Sequence, residues 1–292
     1  MERKNTVVLF SKVPVPGLVK TRLSVLKDGI LAPDDAANLF HCMLFDVVEC
    51  VCAAMADLEA ESRAAYERAV AAGKPDPVLD TYNLTISTTP ASNVEVMRKL
   101  FEDAGQWPRP IHFDFDEGAN FDIHYNMAFQ KAWDAGADCI LSMGVDMPAL
   151  TKVDIRLGFQ ELHKLWDEDV PGIVLSPDQE MGVSVVGWNR TLDFDHTGVY
   201  YCQSGLTVLP AYIEKCQRQG IRAVHLPAIP DVDTVADLRH NITLVQALNY
   251  CAESGDDVCP PWRTYAALKE LGLGEVRVMP NDLMDPRDQI DV

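Results

Sequence analysis

The stretch VVLFSKVPVPGLVKTRL, Val7 to Leu23, begins with a continuous apolar run and turns at Ser11 into a loop. That loop carries two prolines (Pro14, Pro16), one glycine (Gly17) and three cations (Lys12, Lys20, Arg22). An apolar run this short, bounded by turn residues, reads as a strand buried on both faces. The cations gather where that strand ends, in a chain of 292 residues whose formal net charge is −19. A local reversal of sign in so acidic a protein calls for a reason.

Working outward, the same short apolar runs recur between helical patterns. Asp34 and Asp35 open a helix that runs through Val51 and, after a break, on to Ala72, where Gly73 to Pro77 end it. Its second part, 53–77, reads as an exposed helical extension, being rich in Ala and Glu. Leu84–Thr88 alternates as a strand, Val94–Ala104 is a short helix, and Ile111–Phe115 a strand. Ile123–Ala135 has helical spacing and Cys139–Met143 is a fully apolar strand. A helix over Val153–Trp166 and strands over Gly172–Leu175 and Val183–Trp188 follow. A helix over Leu206–Gln219, a strand over Ala223–Leu226 and a helix over Val235–Leu248 complete the pattern. Strands alternating with helices predict a three-layer α/β/α fold around a mainly parallel sheet. Residues 1–250 form one such domain. The pattern weakens after Tyr250, so 251–292 reads as a C-terminal appendage holding one short helix.

Composition narrows the function. With 48% hydrophobic and 24% charged residues the chain is globular rather than disordered. No run approaches the ~18 consecutive apolar residues of a membrane span, and the N-terminus lacks a signal-peptide pattern. The expectation is a cytoplasmic protein without a membrane partner. Nucleic-acid binding needs a basic face, which the acidity opposes. None of the eight cysteines forms a C-x-x-C pair, so neither a structural zinc nor a disulfide framework is expected.

The basic loop suits phosphate. Gly17 would let backbone N–H groups approach a ligand, and Lys12, Lys20 and Arg22 would supply charge to phosphate oxygens. The G-x-x-x-x-G-K-[ST] spacing of a Walker A loop is absent. Two acidic segments follow other strands. In CILSMGVDMP, Cys139 to Pro148, Asp146 stands just past a strand, and Thr151 can cap the next helix, which frees Asp146 for another task. In Pro230 to Leu238, Thr234 and Asp237 fit a helix cap, leaving Asp231 and Asp233. Ligands of such sheets bind at the carboxyl ends of the strands. There, one or two carboxylates suffice to hold a magnesium ion against phosphates.

The run P-x-P-G-x-x-K-T-R-L after a first strand resembles the signature of the bacterial glycosyltransferase A transferases found near radical-SAM genes. These are similar to the molybdenum-cofactor nucleotidyltransferases and the 2-phospho-L-lactate guanylyltransferases. The resemblance covers roughly Val7 to Leu248. It implies the nucleotide-diphospho-sugar transferase (GT-A) fold. Asp146, with Pro148, Leu150 and Thr151, matches the family's G-x-D-x-P-x-L-T, whose aspartate takes the place of the GT-A metal motif. Asp233, in D-[IV]-D-T-x-x-D-L, matches a second metal ligand, with Asp231 next to it. The implied cofactor is Mg2+ or Mn2+. The implied nucleotide contacts are Phe10, Lys12, Pro16, Gly17, Lys20, Arg22 and Asn126, with Lys20 and Arg22 acting on the leaving phosphates.

Two segments depart from that pattern. The family's G-D-L-G-x-R stretch is here Ala119 to His124, and its E-D-G-G-Y-Y is Gln179 to Ser184. Both would face the acceptor, which makes Asp122, His124 and Glu180 acceptor-side candidates, with Asp231 counted beside them. His124 and His196 also suit plain polar positions. The leading expectation is a metal-dependent nucleotidyltransferase that moves NMP from an NTP to a small phosphorylated or acidic acceptor. Alternatives are a GT-A glycosyltransferase using an NDP-sugar and a nonenzymatic nucleotide-binding module.

Overall fold

The computed structural model describes residues 1–274. Its strands are β1 (Glu2–Phe10), β2 (Leu79–Thr88), β3 (His112–Phe115), β4 (Cys139–Gly144), β5 (Gly172–Pro177), β6 (Val183–Asn189) and β7 (Arg222–His225). Its α-helices are α1 (Pro33–Ala71), α2 (Val94–Ala104), α3 (Phe121–Asp134), α4 (Lys152–Asp167), α5 (Val208–Gln219), α6 (Val235–Glu253) and α7 (Trp262–Glu270). The strands form one sheet in the order β3-β2-β1-β4-β6-β5-β7.

Side chains leave successive strand positions on opposite faces, and the two cores follow from this. Val7 and Leu9 of β1, with Cys139, Leu141 and Met143 of β4, enter a cluster closed by α1, α2, α4, α6 and α7. Val8 and Ile140, from the same two strands, enter a second cluster closed by α3 and α5. The result is the three-layer α/β/α fold expected from the sequence. Pairing is parallel across β3, β2, β1 and β4 and between β5 and β7. β6 is the exception, antiparallel to both β4 and β5. The connection 178–182 is too short for the crossover that a parallel neighbour requires.

Three expectations are refined. α1 runs unbroken for 39 residues, because no proline or glycine interrupts it between Pro33 and Gly73 and its Ala/Glu/Arg-rich second half has high helix propensity. That half is not free-standing. Leu58 is buried, Glu59 pairs with Arg109 at 2.7 Å, and Glu61 pairs with Arg156 of α4 at 2.5 Å. Second, α1 contains a window long and apolar enough to cross a membrane, of which 72% is buried inside the protein. Counting only uninterrupted apolar residues had passed over it. Third, the segment 251–292 begins within α6, and α7 lays Ala267 and Leu268 into the first core cluster against α1. Its last part, 275–292, lies outside the described residues.

Candidate active site

The carboxyl ends of β1, β2, β3 and β4 open on a cavity of about 430 Å³. Its floor is the last residues of these strands and the chain that leaves them: Phe10 to Lys12 at the end of β1, Ser87 and Thr89 at the end of β2, Asp116 after β3, and Gly144 to Met147 at the end of β4. Val183 and Ser184, at the start of antiparallel β6, reach the same mouth, as do Asp231 and Asp233 from the segment between β7 and α6.

The basic loop is a built structure. The amide of Leu18 donates to the carbonyl of Val15 at 3.0 Å and Gly17 has φ +77°, the conformation a turn with proline at its second position demands of its third. Val13, Val19 and Leu23 are buried and anchor the loop in the core. Lys20 follows Val19 inward. Its Nζ donates to Asp146 Oδ2 at 2.6 Å and to Asp233 Oδ1 at 2.8 Å, with its side chain only 6% exposed. Burial alone would lower the Lys20 pKa. The fields of Asp146 and Asp233 outweigh it and hold the ammonium above its ordinary value. Arg22, 62% exposed, reaches Asp233 Oδ2 at 3.3 Å.

The acidic partners are held from behind. The amide of Val232 donates to the carbonyl of Asp146 at 3.0 Å, which draws the 231–233 segment alongside the end of β4. Asp237 Oδ2 accepts from the amides of Asp233 and Thr234 and from the Thr234 hydroxyl, forming the cap read from the sequence. Thr151 likewise bonds Asp154 at the start of α4 through both its amide and its hydroxyl. Asp146 is thus left to the cavity. Gly144 makes room for it, since a β-carbon there would meet Asp146 Oδ1 at 2.7 Å. Asp231 accepts from Gln179 at 2.9 Å. Burial first, then the charges of Asp146 and Asp233, push its carboxyl up to about 7. It therefore exchanges its proton near neutrality.

Among the described residues no group of three or more His, Cys, Asp or Glu side chains forms a ready-made metal cage. Asp146 and Asp233 nevertheless converge on one cation, the Lys20 ammonium. Two carboxylates beside an open cavity are a donor set that magnesium takes with phosphate oxygens and water. The residues present therefore fit such an ion.

The other sequence candidates divide. Phe10, Lys12, Lys20, Arg22, Asp146, Asp231 and Asp233 all line the cavity; Pro16, Gly17, Asn126, Asp122, His124 and Glu180 do not. Pro16 and Gly17 form the turn beneath the loop. Asn126 bonds Asp195 and His196 instead. Asp122 is buried and accepts from the amides of Gly198 and Tyr200, so it braces that loop. Glu180 sits in an exposed turn, its amide donating to Asp178. His124 lies 2.6 Å from Asp116 through Nδ1. His196 is fully buried rather than a plain polar position. It is packed against Tyr125, Phe129, Trp188 and Phe194.

Sequence reading missed Asp116 and an aromatic wall. Asp116 accepts from the Ser87 hydroxyl at 2.5 Å and lies just past β3, where the rule that singled out Asp146 would also have found it. Phe121, Tyr125 and Tyr200 form the wall with Phe10, whose ring stacks on Tyr125 with centroids 4.2 Å apart. These residues come from three separate segments, and no spacing in the sequence joins them.

No protein-family model matches this chain, and no curated protein matches it. Among solved structures it is similar to a candidate nucleotide-diphospho-sugar transferase from Desulfovibrio desulfuricans G20, with a TM-score of 0.65 and 22% identity. That match covers 92% of this chain and 95% of the other. Lower likenesses include the 4-diphosphocytidyl-2C-methyl-D-erythritol synthase of Anaerococcus prevotii, with a TM-score of 0.43, 11% identity, and 84% and 96% covered. A cytidylyltransferase from Leptospira borgpetersenii has a TM-score of 0.43 at 10% identity, with 95% and 99% covered. The fold is that of the nucleotide-diphospho-sugar transferases.

Proposed function

We propose that this protein is a nucleotide-using transferase, and specifically a magnesium-dependent nucleotidyltransferase. It would move NMP from an NTP to a small phosphorylated or acidic acceptor. One observation carries the reading: Lys20, Arg22, Asp146 and Asp233, remote in sequence, meet at one mouth of the sheet. The fold supports it, as does the resemblance of the Pro14–Leu23 and Asp146 segments to the motifs expected of the radical-SAM-associated transferases.

In this reading Asp146 and Asp233 would hold Mg2+ or Mn2+, and the ion would supply shielding between phosphates and carboxylates and charge stabilisation at the departing group. Lys12 and Arg22, at the open rim, receive the phosphate chain. Lys20 turns from the carboxylates to the phosphate oxygens as negative charge arrives. Phe10, Phe121, Tyr125 and Tyr200 present flat apolar surface to the base. The loop and the strand ends position the reactants, and no covalent intermediate on the protein is needed.

The test is pyrophosphate release from ATP, GTP, CTP and UTP with Mg2+ across phosphorylated and carboxylated acceptors, alongside NDP-sugar turnover. Acceptor-dependent pyrophosphate release supports nucleotidyl transfer. Turnover of an NDP-sugar alone replaces it with glycosyl transfer. Nucleotide binding without turnover of any donor reduces the protein to a binding module.

A further inference from the structure

We infer that Lys20 is a built-in counter-ion which closes the two-carboxylate site to divalent cations until nucleotide phosphates draw it out. The inference rests on the reading of Asp146 and Asp233 as a metal site, and it sets the order in which that site fills.

The ammonium occupies the place of a cation. It is buried, and it takes one oxygen from each carboxylate at 2.6 and 2.8 Å. Arg22 takes the second oxygen of Asp233. Three of the four carboxylate oxygens therefore already face a positive charge. A divalent ion arriving alone must expel an ammonium held by two charge-assisted hydrogen bonds and then share the site with the Arg22 guanidinium. Lys20 is also held in a left-handed backbone conformation, φ +46°, which a lysine adopts only when its surroundings impose it. Asp146, Asp233 and the buried neighbours Val19 and Leu23 supply that constraint.

An incoming polyphosphate changes the balance. The cavity that Lys20 lines also exposes Lys12 and Arg22, so anionic oxygens would enter within reach of its side chain. Once the ammonium pairs with them, the two carboxylates lose the cation they shared, Arg22 remaining only on the outer oxygen of Asp233, and a divalent ion is then bound where it was refused before. Nucleotide and metal accordingly arrive together rather than metal first.

The experiment measures Mn2+ binding by electron paramagnetic resonance on the full-length protein without nucleotide. The wild type is expected to bind Mn2+ only at millimolar concentrations. Lys20→Met is expected to bind it at least tenfold tighter, and Lys20→Gln, which keeps a hydrogen-bond donor for the carboxylates and so protects the fold, in the same direction. Lys20→Arg, which keeps the charge, should stay near the wild type. The double variant Lys20→Met with Asp146→Asn should return to weak binding. Mn2+ should also raise the melting temperature of the neutral variants more than that of the wild type. Equal Mn2+ affinity in the wild type and a folded neutral variant would overturn the inference. Nucleotide binding to the wild type, with and without Mn2+, is followed separately. Its absence removes the functional reading and leaves the Mn2+ comparison standing.

Discussion

Lys20 Nζ lies 2.6 Å from Asp146 Oδ2, although 126 positions separate the two residues in the chain. The pair joins the loop after β1 to the end of β4, and its strength depends on how little water reaches it. Removing either carboxylate leaves the buried Lys20 ammonium with one partner instead of two, so the cost is less than that of stranding a buried charge outright. Asp146 is 26% exposed and Asp233 45%. Asp146→Asn should therefore cost about 2 kcal/mol of unfolding free energy, and Asp233→Asn under about 1 kcal/mol. Urea denaturation of both variants checks the order; a larger cost at Asp233 contradicts this account. Both substitutions should lower turnover at least ~100-fold, far beyond what stability explains.

Arg22 separates binding from folding. Its guanidinium is mostly exposed, so Arg22→Ala should change stability by no more than about 0.5 kcal/mol. Nucleotide affinity should fall about tenfold, the loss of one charge-assisted contact. Calorimetric titration at two ionic strengths reads this, and the deficit should shrink as salt screens the site.

Gly144 lies behind Asp146. The methyl of Gly144→Ala would stand 2.7 Å from Asp146 Oδ1, closer than a carbon and an oxygen tolerate. The carboxylate can rotate away, so the protein should fold while Lys20 loses its closer partner. A turnover loss near that of Asp146→Asn, with an unchanged circular dichroism spectrum, is the expected result. Wild-type activity would show that the position of Asp146 does not matter.

The aromatic wall predicts a base contact. Phe121 is 38% exposed and its ring packs on Phe10 and Tyr200. Phe121→Ala should weaken nucleotide binding by about 1–2 kcal/mol if the base stacks there. Inorganic tripolyphosphate has no base, so its affinity should not change. Equal losses for nucleotide and tripolyphosphate would place the base elsewhere.

His196 sets a limit on acid stability. Burial among aromatic rings first, and the Lys215 charge second, push its pKa down to about 3. The unfolded chain binds a proton near 6.5 that the folded protein refuses. The unfolded state therefore holds more protons at this histidine below that value, and its contribution to stability falls as pH drops from 6.5 toward 3. One such group gives a slope of about 1.4 kcal/mol per pH unit. His163 adds to the slope, its pKa lowered by burial and by Arg3. Asp231, its carboxyl pushed up to about 7, contributes in the opposite direction as pH falls from there toward its unfolded value. The His196 share is read as the difference between wild type and His196→Phe in how their denaturation midpoints change between pH 7 and 4. In His196→Phe the slope should be shallower, while the nucleotide cavity, which His196 does not line, should still bind.

How far the site was legible varies by residue. Asp146 and Asp233 stood out because local capping was satisfied without them: Thr151 with Asp154, and Thr234 with Asp237, use neighbours within one helical turn. Asp122 and Asn126 entered through the resemblance, yet one accepts from the amides of Gly198 and Tyr200 and the other bonds Asp195 and His196. Those partners lie some seventy residues away, beyond the range of any local pattern. Glu180 stands in a segment that departs from the resembled pattern, and it sits in an exposed turn. The break expected in α1 came from sparse apolar residues. Helix continuity there follows from propensity and from distant ion pairs to Arg109 and Arg156.

Amino-acid order alone determined the alternation of strands and helices, the three-layer architecture and the loop that carries Lys20, because these depend on hydrophobic period and turn chemistry within a few residues. Tertiary structure alone decided that Lys20 faces inward between two aspartates instead of outward to solvent, and that Phe121 and Tyr200 share a wall with Phe10. Such choices turn on the desolvation of charges and the packing of surfaces brought together from far along the chain. That energy does not exist until the sheet has closed.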